Sequence, residues 1–455
     1  MAVSRRSFIG GALSLGAFAG CRAFRAPAGL FADGTPGLVL GVISDIHVDA
    51  APGDYRKFGD TVQFEKTLRW FDAQGVDGVA LAGDMADNGM ITQLQAVGDA
   101  WFRVFPGGRS AHDGRKVEQL FVYGNHDLEG QNYDKFDVRY FEKKSFEAAL
   151  IRRDPARAWK LAFREEYAPI WTKTVKGYRF VGAHWRDGKD AWDGIPGVEP
   201  WFREHADLID PSRPFFFIQH CHPKDTVYGA EAWSPDKGYA TRALSAFPNA
   251  VAFSGHSHTS LTDELSVWQG AFTSIGTSSL RYGGNADRYE QRQGMLVKVY
   301  GDRIVIARRD FMHDASLGDD WVIPLPAAEN KPFAFETRKA ESAAPQFPDG
   351  AKLAIVPFED DEKKSYGWKV TIPCATAGAT RAFRYEVKAG FEDVSGQGVT
   401  LVDKAYDAKY NMPVGMSGRP TEHLIKSGHK PANGRARITV TPLDCWDNRG
   451  EPIVS

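Results

Sequence analysis

Cysteine is scarce in this sequence, and neither sign of charge prevails. Four Cys in 455 residues are too few for a disulfide-dense scaffold. Lys and Arg together number 56 and Asp and Glu 58, which leaves a formal net charge of -2. A basic field that would attract nucleic acid is therefore missing, and we expect no nucleic-acid partner. The 43% of apolar and 25% of charged residues are typical of a soluble globular protein.

Apolar runs long enough to cross a bilayer are also missing. The apolar stretch 8–19 is too short to span a membrane comfortably. It follows Arg5 and Arg6, and the whole segment resembles a twin-arginine signal peptide. We therefore assign residues 1–34 to a signal peptide and spacer, and we expect an exported protein, periplasmic or at the cell surface. Cleavage after Ala19 and lipid attachment at Cys21, in a sequence resembling a lipoprotein site, are both open interpretations.

The chain is too long for one ordinary domain, and its texture changes partway along. Residues 35–310 alternate apolar strands with helical segments, which predicts a layered α/β fold. Residues 311–349 become rich in Pro, Ala, Lys and Glu and are predicted to be a linker. Residues 350–455 carry short alternating runs between turns, which predicts an antiparallel β-sandwich of fibronectin- or immunoglobulin-like type. Within it, Cys374 and Cys445 could pair or could stay as buried thiols.

Each of five predicted strands in the α/β region runs directly into a polar cluster. The strands are apolar on both faces, as strands buried between two layers must be. Ligands of open α/β sheets bind beyond the carboxyl ends of the strands, so we expect the five clusters to converge on one site. The clusters are Asp45-Ile46-His47, Gly83-Asp84, Gly124-Asn125-His126-Asp127, His220-Cys221-His222 and Gly255-His256-Ser257-His258.

The residue types in these clusters are those that bind divalent metal ions. Carboxylates, imidazoles and one amide oxygen suit zinc, iron or manganese, and no set of thiolates is present. The i, i+2 spacing of Asp45 with His47, and of His256 with His258, places both side chains on one face of an extended backbone. A glycine before Asp84, as before two other clusters, lets the backbone turn sharply or approach an ion closely.

A single Asp or His carries little weight, because most such residues are surface groups or satisfied polar groups. Five clusters in sequence order, each at the end of a predicted strand, favour a shared site over that simpler interpretation. Six of the 12 His residues fall inside the clusters, so the imidazoles are concentrated where a metal site would need them.

The series Asp-x-His, Gly-Asp, Gly-Asn-His-Asp, His and Gly-His-x-His resembles the calcineurin-like metallophosphoesterase superfamily, over about residues 38–310. The resemblance implies a four-layer α/β/β/α sandwich with two metal ions at the strand ends. It implies that Asp84 bridges both ions and that His126 lies beside the phosphate rather than on a metal. The other ligands implied for the first ion are Asp45, His47 and His258. Those implied for the second ion are Asn125, His220 and His256.

The fourth cluster departs from the pattern of the superfamily because it offers two imidazoles. His220 follows the apolar strand directly, so we prefer it as the ligand. His222 stays the alternative, with a role behind the ligands or against the substrate.

Together these observations predict an exported hydrolase of phosphate mono- or diesters. Two metal ions, of zinc, manganese or iron, would activate a hydroxide for in-line attack. His126, kept upright by Asp127, is the predicted catalytic acid. The substrate, a small molecule or a lipid head group, stays open, and a monomer is expected. The alternative is a catalytically weak metal-binding relative that binds surfaces through its C-terminal β-domain.

A few other side chains could lie near such a site. Asp49 and Arg281 could reach a substrate, although nothing in their spacing shows it. For His184 and for the tryptophans Trp201 and Trp233, core packing is the default expectation and a place in the cleft is the alternative.

Overall fold

The computed structural model describes the chain from residue 34 to its last residue, with gaps. The predicted signal peptide and Cys21 lie outside the described residues. No helix among the described residues is both long and apolar enough to cross a membrane. The described ranges are 34–49, 60–129, 149–186, 194–229, 232–284, 292–378, 380–392, 398–410, 412, 415, 418–427 and 435–455.

The α/β region alternates strands and helices, as predicted. Buried strands form at the five apolar runs that precede the polar clusters. Its strands are β1 (Leu38–Ile43), β2 (Gly78–Ala82), β3 (Glu118–Val122), β4 (Ile170–Val175), β5 (Tyr178–Ala183), β6 (Phe215–Ile218), β7 (Ala250–Ser254), β8 (Val267–Gln269), β9 (Thr273–Gly276), β10 (Gln293–Val299), β11 (Arg303–Asp310), β12 (Ala315–Ser316) and β13 (Trp321–Pro324). Its helices are α1 (Asp60–Ala73), α2 (Ile91–Val104), α3 (Asn125–Glu129), α4 (Pro155–Phe163), α5 (Val198–Glu204) and α6 (Tyr239–Leu244).

Two sheets carry the region. The first has the order β12-β11-β10-β1-β2-β3, with β13 also paired to β11. The second has the order β4-β5-β6-β7-β9-β8. The strands β1, β2 and β3 run parallel, and so do β5, β6, β7 and β9. The carboxyl ends of each parallel set therefore meet at one edge of their sheet.

Alternation along the strands builds the layers. Leu40 and Val42 of β1 face the second sheet and pack in one core with Phe216 of β6. Val39 and Ile43 face the other way and pack with α1, α2 and α4. The outer face of the second sheet packs in the same way against α5 and α6. The predicted four-layer α/β/β/α sandwich is confirmed.

The C-terminal region forms an antiparallel β-sandwich, as predicted. The elements after β13 are α7 (Phe335–Glu341), β14 (Ala354–Asp360), β15 (Ser365–Ile372), β16 (Thr376–Ala377), β17 (Thr380–Arg381), β18 (Arg384–Glu392), β19 (Gly398–Asp407), β20 (Thr421–Lys426), β21 (Arg435–Leu443) and β22 (Ile453–Val454). One sheet has the order β14-β15-β20 and the other β19-β18-β21-β22, and a small β16-β17 hairpin lies beside them. Alternate residues of both sheets, among them Trp368, Ile425, Tyr385 and Val440, fill a separate core.

The segment predicted as a linker, 311–349, differs from that expectation at both of its ends. Its first part extends the first sheet, because Trp321 and Ile323 alternate with exposed Val322 and bury themselves against β11. Its second part contains the exposed helix α7. The two cysteines of the sandwich are not joined in a disulfide; the Cys445 Sγ lies 3.6 Å from the Glu264 carboxylate.

The two regions touch through the closing turn of the sandwich. Trp446, which is 6% exposed, packs with Val227, Tyr228 and Leu265 of the α/β region. Its indole Nε1 donates to Glu264 Oε2 at 3.2 Å. The sandwich therefore rests on the loop that follows the fourth polar cluster.

Candidate metal centre

The structure brings all seven predicted metal ligands to the carboxyl ends of β1, β2, β3, β6 and β7. None of the seven is more than 5% exposed, so ionisable side chains are concentrated in the interior. Buried carboxylates are costly unless positive charge or hydrogen bonds compensate them. The seven residues are Asp45, His47, Asp84, Asn125, His220, His256 and His258.

One group of possible ligand atoms comes from Asp45, His47, Asp84 and His258, with one atom from each within 4.8 Å of all the others. His258 Nε2 lies 2.9 Å from Asp45 Oδ1. His47 Nε2 lies 3.0 Å from His258 Nε2 and 3.6 Å from Asp84 Oδ2. Four donor atoms therefore surround one small volume.

A second group shares Asp84 with the first and adds His220 and His256. His220 Nε2 lies 3.1 Å from Asp84 Oδ2 and 3.0 Å from Asn125 Oδ1. His256 Nδ1 lies 3.1 Å from the same His220 nitrogen. A carboxylate common to both groups is what a bridging ligand requires.

Electrostatics inside the groups favour positive charge. Burial lowers the pKa of His220, but Asp84 more than offsets it and raises the pKa to about 9. Burial together with the charge on His220 holds the pKa of His256 well below its usual value. The first group divides in the same way: carboxylates outweigh burial and raise the pKa of His47, whereas burial prevails and lowers the pKa of His258. In each group the carboxylates therefore favour the protonated form of one imidazole, His47 or His220, and burial favours the neutral form of its neighbour.

The donor set therefore fits divalent metal ions. Imidazole nitrogens that face each other at 3.0 and 3.1 Å, beside buried carboxylates, form the nitrogen and oxygen environment that zinc, iron and manganese accept. Among the described residues, two further buried atoms of the ligand candidates, Asn125 Nδ2 and His258 Nδ1, have no hydrogen-bond partner. Buried polar atoms without a partner call for an explanation, such as a bound ion or water.

Backbone strain accompanies these ligands. The φ angle is 56° at Asp45, 48° at His47, 54° at Asp84, 76° at His256 and 54° at His258. The i, i+2 pairs were predicted to lie on extended backbone, and that prediction is wrong. Both members of each pair lie in the left-handed region, so tight loops direct them into the site. Each such residue stores roughly 1–3 kcal/mol, which the surrounding structure must hold.

Glycines permit the close packing of these loops. A Cβ on Gly124 would lie 2.1 Å from Asp84 Oδ1, and one on Gly255 would lie 2.4 Å from Asp45 Oδ2. A Cβ on Gly83 would lie 2.5 Å from His220 Nδ1. The structure therefore shows the close approach for which glycine was expected before these clusters.

His126 lies beside the first group, but the residue that orients it is not the predicted one. Its Nδ1 donates to the backbone carbonyl of Asp87 at 2.9 Å and lies 3.4 Å from the Asp87 carboxylate. The same carboxylate lies 2.9 Å from His47 Nδ1. Asp87 was not among the predicted site residues; it comes three residues after Asp84, in the loop that follows β2.

The predicted role of Asp127 as the support of His126 is wrong. Its carboxylate accepts from the backbone N–H groups of Met85, Ala86 and Gly124 at 2.7–3.0 Å. Burial, with the nearby charge of Asp84, raises the pKa of Asp127 to about 7. Asp127 therefore joins the loop after β2 to the loop after β3 through hydrogen bonds to their backbones, and it stabilises the loops that carry Asp84 and Asn125.

The choice between the two imidazoles of the fourth cluster falls on His220. His222 lies outside both ligand groups, with its Nδ1 2.8 Å from Ser254 Oγ and its Nε2 2.9 Å from Ser257 Oγ. Burial and the charge on His220 lower the pKa of His222 to about 3. A neutral His222 thus supports the loop that carries His256 and His258.

Aromatic rings flank the ligands. The indole of Trp233 stacks on the His256 imidazole with centroids 4.5 Å apart, and Tyr282 lies 4.5 Å from His258. Trp201 instead packs in the core of the second sheet, and His184 is buried with its Nδ1 accepting from Tyr123 N. Core packing is thus correct for those two and wrong for Trp233.

Arg281 and Asp49, which could have reached a substrate, bind each other instead. Arg281 donates to Asp49 Oδ2 at 2.6 Å and to the backbone carbonyl of His47. This pair braces the loop of the first cluster, and nothing in the geometry shows a role toward a substrate.

Comparison with known proteins relates this geometry to a family. Residues 38–260 match the family model described as calcineurin-like phosphoesterase. No curated protein matches the chain. Among solved structures the chain is similar to a dimetal phosphatase from Danio rerio, at 12% identity and a TM-score of 0.40, over 64% of this chain and 99% of that one. It is also similar to a predicted phosphoesterase from Streptococcus pneumoniae TIGR4, at 13% identity and a TM-score of 0.30, over 63% and 97%. These two likenesses are too distant to bear on function.

Proposed function

We propose, from the premise that residues 38–260 form a calcineurin-like phosphoesterase domain, that this protein hydrolyses phosphate mono- or diesters with two metal ions. One observation carries the proposal: the buried Asp84 carboxylate is shared by two groups of ligand atoms, with His126 close by. A pair of divalent ions, when bound, supplies Lewis acidity to the phosphate oxygens and lowers the pKa of water.

The two groups divide the ligands between the ions. Asp84 would serve both, and its Oδ1 also accepts from the backbone N–H of His126 at 2.9 Å, which fixes the carboxylate. Asp45, His47 and His258 would complete the first set. Asn125, His220 and His256 would complete the second set. Zinc, manganese or iron would satisfy either set.

His126 would move a proton. Because its Nδ1–H donates to the Asp87 carbonyl, the ring orientation is fixed and Nε2 is the nitrogen left to exchange a proton. Donation from Nε2 to the leaving oxygen makes His126 the general acid in this proposal. Asp87 would orient two rings at once, because its carboxylate lies beside both His47 and His126.

The test is turnover of p-nitrophenyl phosphate and bis(p-nitrophenyl) phosphate with zinc, manganese or iron supplied in turn. Asp84→Asn and His126→Ala should each lower kcat by about 100-fold or more, whereas His112→Ala, at an exposed position, should not. Thermal unfolding separates the roles. Added metal should raise the Tm of wild type and His126→Ala, and the shift should shrink in Asp84→Asn.

Full activity of both variants on an ester that wild type hydrolyses would contradict the proposal. Metal stabilisation without turnover on any phosphoester would instead favour the alternative, a catalytically weak metal-binding relative. The proposal also includes export of the chain as a monomer, by the twin-arginine-like segment or with a lipid on Cys21. Cell fractionation of an Arg5→Lys/Arg6→Lys double variant would test the export signal.

A further inference from the structure

Trp233 is a largely exposed aromatic residue in contact with the metal-ligand candidates. It is 56% exposed, and it is the one aromatic ring among the large apolar side chains that are exposed in the described part of the chain. One face of its indole stacks on His256 at 4.5 Å and 25°. The ring therefore combines a fixed contact to a metal-ligand candidate with a large area open to solvent.

A buried carboxylate shapes the loop segment that follows Trp233. The Asp236 side chain accepts from the backbone N–H groups of Lys224, Gly238 and Ala240 at 2.8–3.0 Å. The backbone N–H of Asp236 donates to the His222 carbonyl at 2.9 Å. This side of the loop is thus anchored to the strand end that carries His220. These hydrogen bonds hold the loop segment without involving the Trp233 ring.

A second ring lies beside the other ligand candidates. Tyr282 lies 4.5 Å from His258 and 5.8 Å from His47, both in the first ligand group. Trp233 lies instead against His256, in the second group. Each group of ligand atoms therefore has an aromatic ring beside it, and only the Trp233 ring presents most of its area to solvent.

We propose that the alcohol portion of the esters hydrolysed here is of the nucleoside type. Its planar aromatic ring stacks on the exposed area of Trp233 while the phosphate lies at the metal centre. The inference rests on the proposed function and names its substrate class. An indole stacks best on another flat ring. In a nucleoside phosphate the sugar separates that ring from the phosphate, so the ring can lie on Trp233 and the phosphate at the ligand candidates. Stacking of one base on an aromatic side chain contributes about 5- to 100-fold in affinity.

The test compares AMP with ribose 5-phosphate on the full chain with manganese supplied. The two share the phosphate and the ribose and differ in the base. Apparent affinity is taken as KM if the compound is hydrolysed and as a directly measured Kd if it is not. The comparison therefore applies to a monoesterase, and equally to a diesterase that binds these compounds as products.

We expect wild type to favour AMP over ribose 5-phosphate by about fivefold or more. Trp233→Ala should bring this ratio close to one, because it weakens AMP more than ribose 5-phosphate, and Trp233→Phe should keep most of the preference. Trp201→Ala is the matched control, since Trp201 also stacks on an imidazole, that of His205, but lies in a different core. It should leave the ratio as in wild type.

Equal affinity of wild type for the two compounds would overturn the inference. So would a Trp233→Ala variant that loses affinity for both to the same extent, because the ring would then only support His256. Failure of the proposed function looks different. In that case AMP would still be favoured through Trp233, but no phosphoester would be hydrolysed with any metal.

Discussion

The strands of the α/β region and those of the C-terminal sandwich handle charge in opposite ways. In the sandwich, charges pair across exposed faces, as Lys369 does with Glu422 at 2.9 Å, both about half exposed. In the α/β region, Asp45 and Asp84 lie at strand ends and are almost fully buried. Exposed ion pairs of this kind contribute little to folding stability. Buried carboxylates need positive charge or hydrogen bonds to offset the cost of removing them from water. For a charged residue in these strands, the residue type therefore matters less than whether the residue lies on the face of the strand or at its end.

The backbone differs in the same sense. The left-handed residues of the sandwich, such as Lys364 and Lys409, lie in connections between strands. Those of the α/β region include five of the seven ligand candidates. Strain at a turn only reverses the chain, whereas strain at a ligand aims a donor atom.

Breaking the contact between the two regions should have the largest effect. Trp446→Ala removes a buried indole from Val227, Tyr228 and Leu265 and should lower the free energy of unfolding by about 3–5 kcal/mol. Trp446→Phe keeps a ring in place and loses mainly the hydrogen bond to Glu264, so it should cost about 1 kcal/mol. Urea denaturation measures both. An alanine variant as stable as wild type would mean that the regions are energetically independent.

A methyl group at the metal centre should come next. Gly124→Ala places a Cβ 2.1 Å from Asp84 Oδ1 and should lower kcat by about 100-fold, or about 2.7 kcal/mol in barrier, by displacing the shared carboxylate. Gly418→Ala is the matched control in the sandwich, where a Cβ meets nothing within 4 Å. Steady-state kinetics on a p-nitrophenyl ester give the comparison. Equal activity of the two variants would show that Asp84 need not stay where the structure places it.

The smallest expected effect is that of buried His184 on the pH dependence of folding stability. Burial lowers the pKa of His184 to about 3, so the folded protein keeps it neutral while the unfolded chain takes up a proton below pH 6.5. The unfolded state binds more protons, and stability therefore falls as pH falls from 6.5 toward 3. His184→Gln should lose about 2 kcal/mol less stability than wild type between pH 7 and pH 5.

The matched control for that measurement is His423→Gln in the sandwich. Burial lowers the pKa of His423 as well, but its side chain is only partly buried, so its pH dependence should be weaker. Denaturant melts at pH 7 and pH 5 check both variants. Identical pH slopes for His184→Gln and wild type would mean that His184 is not kept neutral in the fold.

The convergence of the ligand candidates could be predicted from sequence because it depends on strand direction alone. Parallel strands share an edge at their carboxyl ends, however long the loops between them are. Asp45 and His256 therefore meet although 211 positions separate them. Gly83, Gly124 and Gly255 were interpretable for a related reason, since only a missing Cβ permits such close contacts.

The partner of His126 could not be predicted in this way. The helix α3 begins at Asn125, and neighbours on a helix point about 100° apart, so Asp127 cannot face the side on which His126 lies. Asp87 reaches His126 from a loop, where no periodicity fixes the direction of a side chain. For Trp233 the default expectation of core packing was wrong for the same reason, since this residue too lies in a loop. The alternation that places Trp321 in the first sheet was too short to recognise.

The histidines with a left-handed backbone also affect which substitutions this sequence can accept during evolution. At φ angles near 50–75° glycine or asparagine relieves strain, so a chain selected only for folding would exchange His47, His256 and His258 for them. Retaining the three histidines instead leaves the backbone strain of these loops in place. Relatives that no longer need the centre should reveal themselves by glycine or asparagine at these three positions, before any change in the strands.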